Sequence, residues 1–403
     1  MQVDVAVVGG GPAGSAAAVT LANAGRSVLL VDKAFFPREK CCGDGLTTMA
    51  LRLGERLGLN QRSLADWQPI EEAVVHSPSG RITRFPLPSD YSSYAAIVPR
   101  SVYDAALLEL ARTAGTDVRD GCRFDSIELT SEGASLRIAG VGDVQASNVV
   151  AADGAWSPVR RGLGISEREH RGEWLAFRQY VSGVGPGATS LHVWFEADLL
   201  PGYAWSFPLP NGRSNVGFGV LREHSGTAAE IGRLASGLLD RPTVSAVLGD
   251  TFVATDRLSA WPIPARINRT AVAHGPVLFA GDAAAATDAL TGEGIGQALL
   301  TGILAAEAIL GGGSQARIGH CYSRSVRHQL VADHRMSVAL QQVLSSPRGT
   351  RAALRLVGAS PWSRRHFARW MFEDYPRALL ATPRRWRRGA LGHPGAYDRR
   401  LDG

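Results

Sequence analysis

Residues 5–32 read VAVVGGGPAGSAAAVTLANAGRSVLLVD: an apolar strand, a glycine turn, an alanine-rich helix, a second apolar strand and an acid. Gly9, Gly11 and Gly14 keep the spacing G-x-G-x-x-G between strand and helix, and Asp32 closes the next strand. Each glycine has its own task in a dinucleotide cradle: a tight turn, close approach of backbone to a pyrophosphate, and close packing of helix on sheet. Backbone N–H groups at the helix start hold phosphate with the positive end of the helix dipole. Asp32, followed by Lys33, accepts ribose hydroxyls and would repel a 2′-phosphate, so FAD or NAD is expected rather than NADP. A glycine-rich turn of any α/β protein explains the glycines alone, but not strand, spacing, helix and acid together.

Working outward, 403 residues, 45% of them hydrophobic and 20% charged, suffice for two domains or one elaborated domain. The four cysteines include the neighbours Cys41 and Cys42, which make no disulfide framework, so a reducing cytosol is expected. The first strand starts almost at Met1 with no basic leader, and no uncharged apolar run nears the roughly 20 residues of a spanning helix. Lys33 and Lys40 are the only lysines. From Gln341 to Gly403 there are 13 arginines against 4 acids, a local +9 in a chain of net +6. That tail suits nucleic acid, anionic lipid or mere solubility.

After Asp32, Cys42-Gly43-Asp44-Gly45 leads into an expected helix with Leu46, Met49, Leu53 and Leu57 on one face. Glycines around an acid let backbone approach a flat ligand, and Cys42 reads either as a small buried hydrophobe or as a thiol near a cofactor. Residues 70–97 alternate as antiparallel strands do, and VPRSVYDAALLELARTAG is an amphipathic helix with Arg100 at its start. An arginine there is a solvated charge or a cofactor clamp. Asp153 and Gly154 stand on a strand-to-loop exit. Segments between 162 and 256 predict a large antiparallel sheet containing PGYAWSFPLPNGRSNVGFGV, in which Tyr203, Trp205 and Phe207 project from one face. Prolines 201, 208 and 210 predict an edge strand or a cavity rim. Near residue 280 an apolar strand enters Gly281-Asp282, and Gly292, Gly294 and Gly296 open an Ala/Leu helix, a second helix start available to an anion or an electron-rich ring edge. The remainder reads as helical, interrupted by Pro376.

The glycine triplet with Asp32, the DG at Asp153 and the GD at Asp282 together resemble the p-hydroxybenzoate hydroxylase class of FAD proteins. Within it, FPREKCCGDGL, PGYAWSFP with NVGFGV, and LTGEGI resemble the geranylgeranyl reductase family, which saturates isoprenoid double bonds. The resemblance covers nearly the whole body. It implies an α/β (α+β) chain: a Rossmann-like FAD-binding domain (1–70, 97–161, 272–310) interleaved with an antiparallel-sheet substrate domain (71–96, 162–271), then a helical, Arg-rich region (311–403). It implies FAD contacts at Gly9, Gly11, Pro12, Ala13, Gly14, Asp32, Lys33, Arg100, Asp153, Gly281 and Asp282, with Gly292, Gly294 and Ile295 near the flavin ring. Cys42 and Gly43 match the family's C-G-x-G loop beside the isoalloxazine; the expected proton donor is a thiol such as Cys42, or water, and either Cys41 or Cys42 faces the flavin. Tyr203, Trp205, Phe207 and Pro208, with Gly217, match the prenyl-cavity signature. The chain departs from the family pattern at Ala289 and at Cys41, where proline is usual.

The expected activity is therefore hydride transfer from reduced flavin to a carbon–carbon double bond of a prenyl chain, with electrons from NAD(P)H or a reductase. A monooxygenase of an aromatic or terpenoid substrate shares the same FAD segments. A flavin halogenase would want an active-site lysine and W-x-W-x-I-P, whereas here the lysines lie in the first 40 residues and the strand reads YAWSFP. A prenyl carrier without flavin, resembling Rab GDP-dissociation inhibitors, would not need both cradles. The ten histidines form no ligand set for a metal, and no nucleic-acid partner is expected. A cytoplasmic enzyme is expected, peripheral to the inner face of the membrane through Trp362 to Leu391.

Overall fold

The computed structural model describes residues 1–165, 172–224, 226–383, 386 and 394–397. The valine- and leucine-rich strands Gln2–Val8 and Val28–Asp32 pair in parallel, as runs buried on both faces do. Gly142–Ala151 joins the other side of Gln2–Val8, Val277–Phe279 follows it, and Asp117–Asp120 closes the far edge beside Val28–Asp32. A second sheet runs in the order Val253–Ala254, Trp174–Ser182, Arg213–Leu221, Tyr203–Leu209, Leu191–Trp194, Glu72–His76, Ile82–Pro86. Its contacts are antiparallel except that Leu191–Trp194 and Glu72–His76 run parallel. A small sheet of Gly45–Thr47, Ala95–Ile97 and Gln68–Pro69 bridges the two, so the chain is a mixed α/β fold.

The helix Pro12–Asn23 packs on the long helix Ile295–Leu310 through small side chains. A Cβ on Gly302 would lie 2.1 Å from the Ala13 carbonyl oxygen, and one on Gly281 would lie 3.2 Å from the Ala13 Cβ. Those close approaches bring the Gly281-Asp282 turn against the first glycine turn. Among the described residues no helix is long and apolar enough to cross a membrane.

One local expectation is corrected and two are narrowed. Leu46 lies in the strand Gly45–Thr47; the helix starts only at Thr48, where the Thr47 hydroxyl accepts from Ala50 N, and its buried face is Ala50, Leu51 and Gly54. Of the two alternatives for the strand Tyr203–Leu209, the edge is excluded because the strand is central, while its cavity-facing side chains agree with the cavity rim. Pro208 has a strand partner on one side only, Ser214, because the neighbouring strand Leu191–Trp194 pairs only as far as Ser206. The α-helix Pro361–Met371 ends well before Pro376, and a short 3₁₀ helix, Leu379–Ala381, follows the proline.

Candidate active site

One cavity of ≈ 990 Å³ runs from the first glycine turn to the C-terminal helices. At its first end Gly9, Gly11, Pro12, Ala13, Asp32 and Lys33 line the wall. Both Asp32 oxygens are oriented by backbone, one accepting from Gly10 N at 2.7 Å and the other from Ala34 N at 2.8 Å. Gly14 does not line the cavity; a Cβ there would stand 1.8 Å from the Gly9 carbonyl oxygen, so it lets helix and turn meet. At Gly11 an added Cβ would meet only Arg38 Nη2, at 3.5 Å, which leaves the backbone open toward the cavity.

Asp153, Gly281 and Asp282 line the same region. Asp153 Oδ2 accepts from Val159 N at 2.8 Å, while its Oδ1 is buried without a partner among the described residues. Burial pushes this carboxyl up to about 6. An oriented acid on the strand end, an open glycine backbone and an orphaned buried carboxylate oxygen fit a nucleotide's ribose, pyrophosphate and hydroxylated linker.

Arg100 is not a free clamp. Its Nε and Nη2 grip Asp104 at 2.7 and 2.8 Å, deep in the wall. Arg38 shares that carboxylate at 3.0 Å and keeps Nη1 unpartnered, making it the arginine nearest Gly11. Sequence reading passed over Arg38 because nothing in FPREK marks which base folds back.

The second helix start is also corrected. Gly292, Gly294 and Ile295 line the cavity, but Glu293 Oε1 accepts from Ile295 N at 3.0 Å and Gly296 N at 2.9 Å. The helix is thus capped by its own acid and offers those two donors to no anion. Glu293 belongs to a buried cluster with Glu373, Asp288 and Arg377. Burial, then Glu373, pushes Glu293 up to about 8. Burial opposes the charge on Asp288 as well, but Arg377, Ser337 and Thr291 outweigh it and hold that carboxyl below its ordinary range.

Cys42 and Gly43 line the middle of the cavity. Asp44, fully buried, accepts from Tyr180 Oη at 2.6 Å, Asn215 Nδ2 at 2.7 Å and Arg100 N at 3.2 Å; burial still raises it to about 6. Asn215 Nδ2 also donates to the Cys42 carbonyl at 2.8 Å, which pins the loop to the large sheet. Burial raises both thiols, Cys41 to about 11. Cys41 Sγ donates to the Ser259 carbonyl at 3.3 Å, whereas Cys42 Sγ accepts from Asp44 N at 3.4 Å. Lys40 also reaches the cavity, its Nζ 3.6 Å from the centre of the Trp261 ring, and burial lowers it to about 8. Its position early in the chain therefore does not keep a lysine out of the site.

Tyr203, Trp205 and Phe207 all face the cavity, as alternation requires. Pro208 points to the other side of the sheet, and Gly217 lies behind Trp205: a Cβ there would come within 2.3 Å of the indole and of the Phe177 carbonyl. The indole Nε1 donates to Asn215 Oδ1 at 3.1 Å. Beyond this wall the lining is apolar, with Val75, Leu191, Val193, Leu344, Leu354 and Met371. The aromatics after residue 360 divide between the cavity and the surface. Phe367, Trp370 and Phe372 line the cavity, Tyr375 is buried, and Trp362 and Trp386 are exposed. Most of 384–391 lies outside the described residues.

A nucleotide cradle continuous with an apolar chamber beneath an antiparallel sheet defines an α/β protein that holds a dinucleotide beside an apolar substrate. A family model described as FAD binding domain matches residues 2–301. Menaquinone reductase of Mycobacterium tuberculosis is 36% identical over 323 residues, covering 76% of either chain. Digeranylgeranylglycerophospholipid reductase 2 of Methanopyrus kandleri is 31% identical over 321 residues, again 76% of either chain. A solved geranylgeranyl bacteriochlorophyll reductase-like protein of Thermoplasma acidophilum superposes with a TM-score of 0.78 at 22% identity, covering 94% of this chain and 98% of its own. The chain belongs to the FAD binding domain family, in its geranylgeranyl reductase branch, and is an FAD-dependent oxidoreductase.

Proposed function

We infer that the protein reduces carbon–carbon double bonds of a polyprenyl chain, as carried by a prenylated quinone or an isoprenoid lipid. The observation that carries this reading is the continuity of the cavity: the Cys42-Gly43 loop separates a nucleotide-shaped end from a long apolar end with no hydrogen-bonding requirement. Reduced FAD, when bound, supplies the hydride. The protein binds and orients. Gly9, Gly11, Asp32, Arg38 and Asp153 hold the dinucleotide, while Tyr203, Trp205 and Phe207 press an alkene toward the loop and exclude water. Cys42 holds a proton at Sγ. Its raised thiol stays protonated near neutral pH, and its hydrogen is uncommitted, whereas Cys41 spends its own on Ser259.

The electron donor is read as external, NAD(P)H or a reductase, because one dinucleotide cradle serves one dinucleotide. The substrate is drawn from a membrane surface. The test is incubation of the dithionite-reduced protein with digeranylgeranyl lipids, once anaerobically and once with oxygen admitted, followed by mass spectrometry. Lipid products heavier by two hydrogens without oxygen support the reading; no hydrogen gain there, with products heavier by one oxygen once oxygen is admitted, makes the protein a monooxygenase and overturns it.

A further inference from the structure

Three consecutive helices, Ala332–Leu344, Pro347–Val357 and Pro361–Met371, roof the apolar end of the cavity. Leu340, Leu344, Leu354, Val357 and Trp370 account for their inner faces. Their outer faces have a different composition. From His334 to Phe372 the chain has seven arginines and no aspartate or glutamate, leaving 36 basic and 37 acidic residues elsewhere, so the entire positive balance of the protein sits on this roof. Arg369 is turned inward onto Asp374, but Arg348, Arg355 and Arg365 are exposed. Among them stand exposed apolar side chains, Leu356 at 75% and Trp362 at 62%. Val343 both lines the cavity and is 48% exposed, so the cavity reaches the surface where the first two helices meet.

We propose that the outer face of Pro347–Val357, with the adjoining ends of its two neighbours, docks on an anionic lipid bilayer and sets the cavity mouth at Val343 against the acyl region. This rests on the reading of the cavity as a prenyl site. Leu356 and Trp362 enter the headgroup boundary, and the arginines meet the anionic headgroups around them. A prenyl chain then passes from bilayer to cavity past Val343 without exposing its length to water, the transfer that apolar surface resists. Nucleic acid would satisfy the arginines but has no use for Leu356, Trp362 or an apolar mouth.

The test is co-sedimentation of the full, FAD-loaded chain with phosphatidylcholine vesicles, with and without phosphatidylglycerol, at low and high salt. Wild type should bind the anionic vesicles and release them in salt. Arg348→Gln with Arg355→Gln should weaken binding by roughly fivefold per arginine at low salt. Leu356→Glu and Trp362→Glu should abolish it. Neither side chain lines the cavity, and an acid in the first turn of the Pro361–Met371 helix is favoured by its dipole, so melting and flavin absorbance should be unchanged. Variants that sediment like wild type overturn the proposal, as does equal binding to neutral vesicles, or a wild type that binds single-stranded RNA but no vesicle. Turnover of detergent-dispersed substrate separates the two readings: loss there in wild type removes the prenyl reaction, whereas kept turnover with unchanged vesicle binding in the variants removes only the docking face.

Discussion

Gly43→Ala places one methyl group where the thiol loop meets the aromatic wall. The added Cβ would lie 2.9 Å from Phe207 Cε2, 3.3 Å from Cδ2 and 3.6 Å from Trp205 Nε1, all of them side-chain atoms. Carbon pairs are at rest near 3.5–4.0 Å, so the nearest contact is short by about 0.6 Å or more. Phe207 must then tilt or the loop must retreat, at a cost of roughly 1–3 kcal/mol for an overpacked site. The nucleotide end is untouched, so FAD should load normally while prenyl turnover falls. A double-mutant cycle with Phe207→Leu, read by denaturant unfolding, isolates the contact. If the methyl strikes the ring, removing the ring should return roughly 0.5–3 kcal/mol as coupling. Strict additivity would refute the claim that Gly43 and Phe207 face each other across the site.

Gly11→Val should melt like wild type as apoprotein, since only Arg38 stands within 4 Å of the new Cβ, yet show no visible flavin absorbance; a yellow variant counts against the cradle. Cys42→Ser, a weaker acid of similar size, should slow alkene reduction more than reduction of the flavin by dithionite, measured by stopped flow; equal effects would leave the thiol as filler. Glu293 carries a pH signature. Its folded value of about 8 lies above the ordinary 4.5, so the native state binds the extra proton, and its contribution is intact below 4.5 and lost as pH rises toward 8. Melting temperature should therefore fall across that window, and Glu293→Gln should flatten the slope; an unchanged slope would place the proton elsewhere.

What was legible in the chain was whatever local chemistry dictates. The glycine turn, the Asp32 strand end and the alternation of Tyr203, Trp205 and Phe207 each follow from spacing alone. What was not legible depends on partners far away. Arg100 resembled a clamp until Asp104, one turn on, and Arg38 closed around the same carboxylate. The start of the Ile295–Leu310 helix resembled an open anion site, yet Glu293 fills it from within the glycine segment. The residues after 360 showed charge and aromatic rings but not which rings turn inward. That is decided by Arg377 reaching Asp288 and Glu373, a pairing across 89 residues in the first case.

The contact of Gly302 with Ala13 also sets an order of events in the cell. The nucleotide cradle begins near the N-terminus, but the helix that braces it from behind is synthesised 288 residues after Gly14. At about 5–20 residues per second on the ribosome, that delay is roughly 15–60 s. Throughout it the glycine turn exists without its backing, and the Gly281-Asp282 half of the cradle does not exist at all. If both halves of the cradle are needed to hold FAD, cofactor capture follows emergence of the Ile295–Leu310 helix, and a chain truncated before that helix should copurify without flavin absorbance.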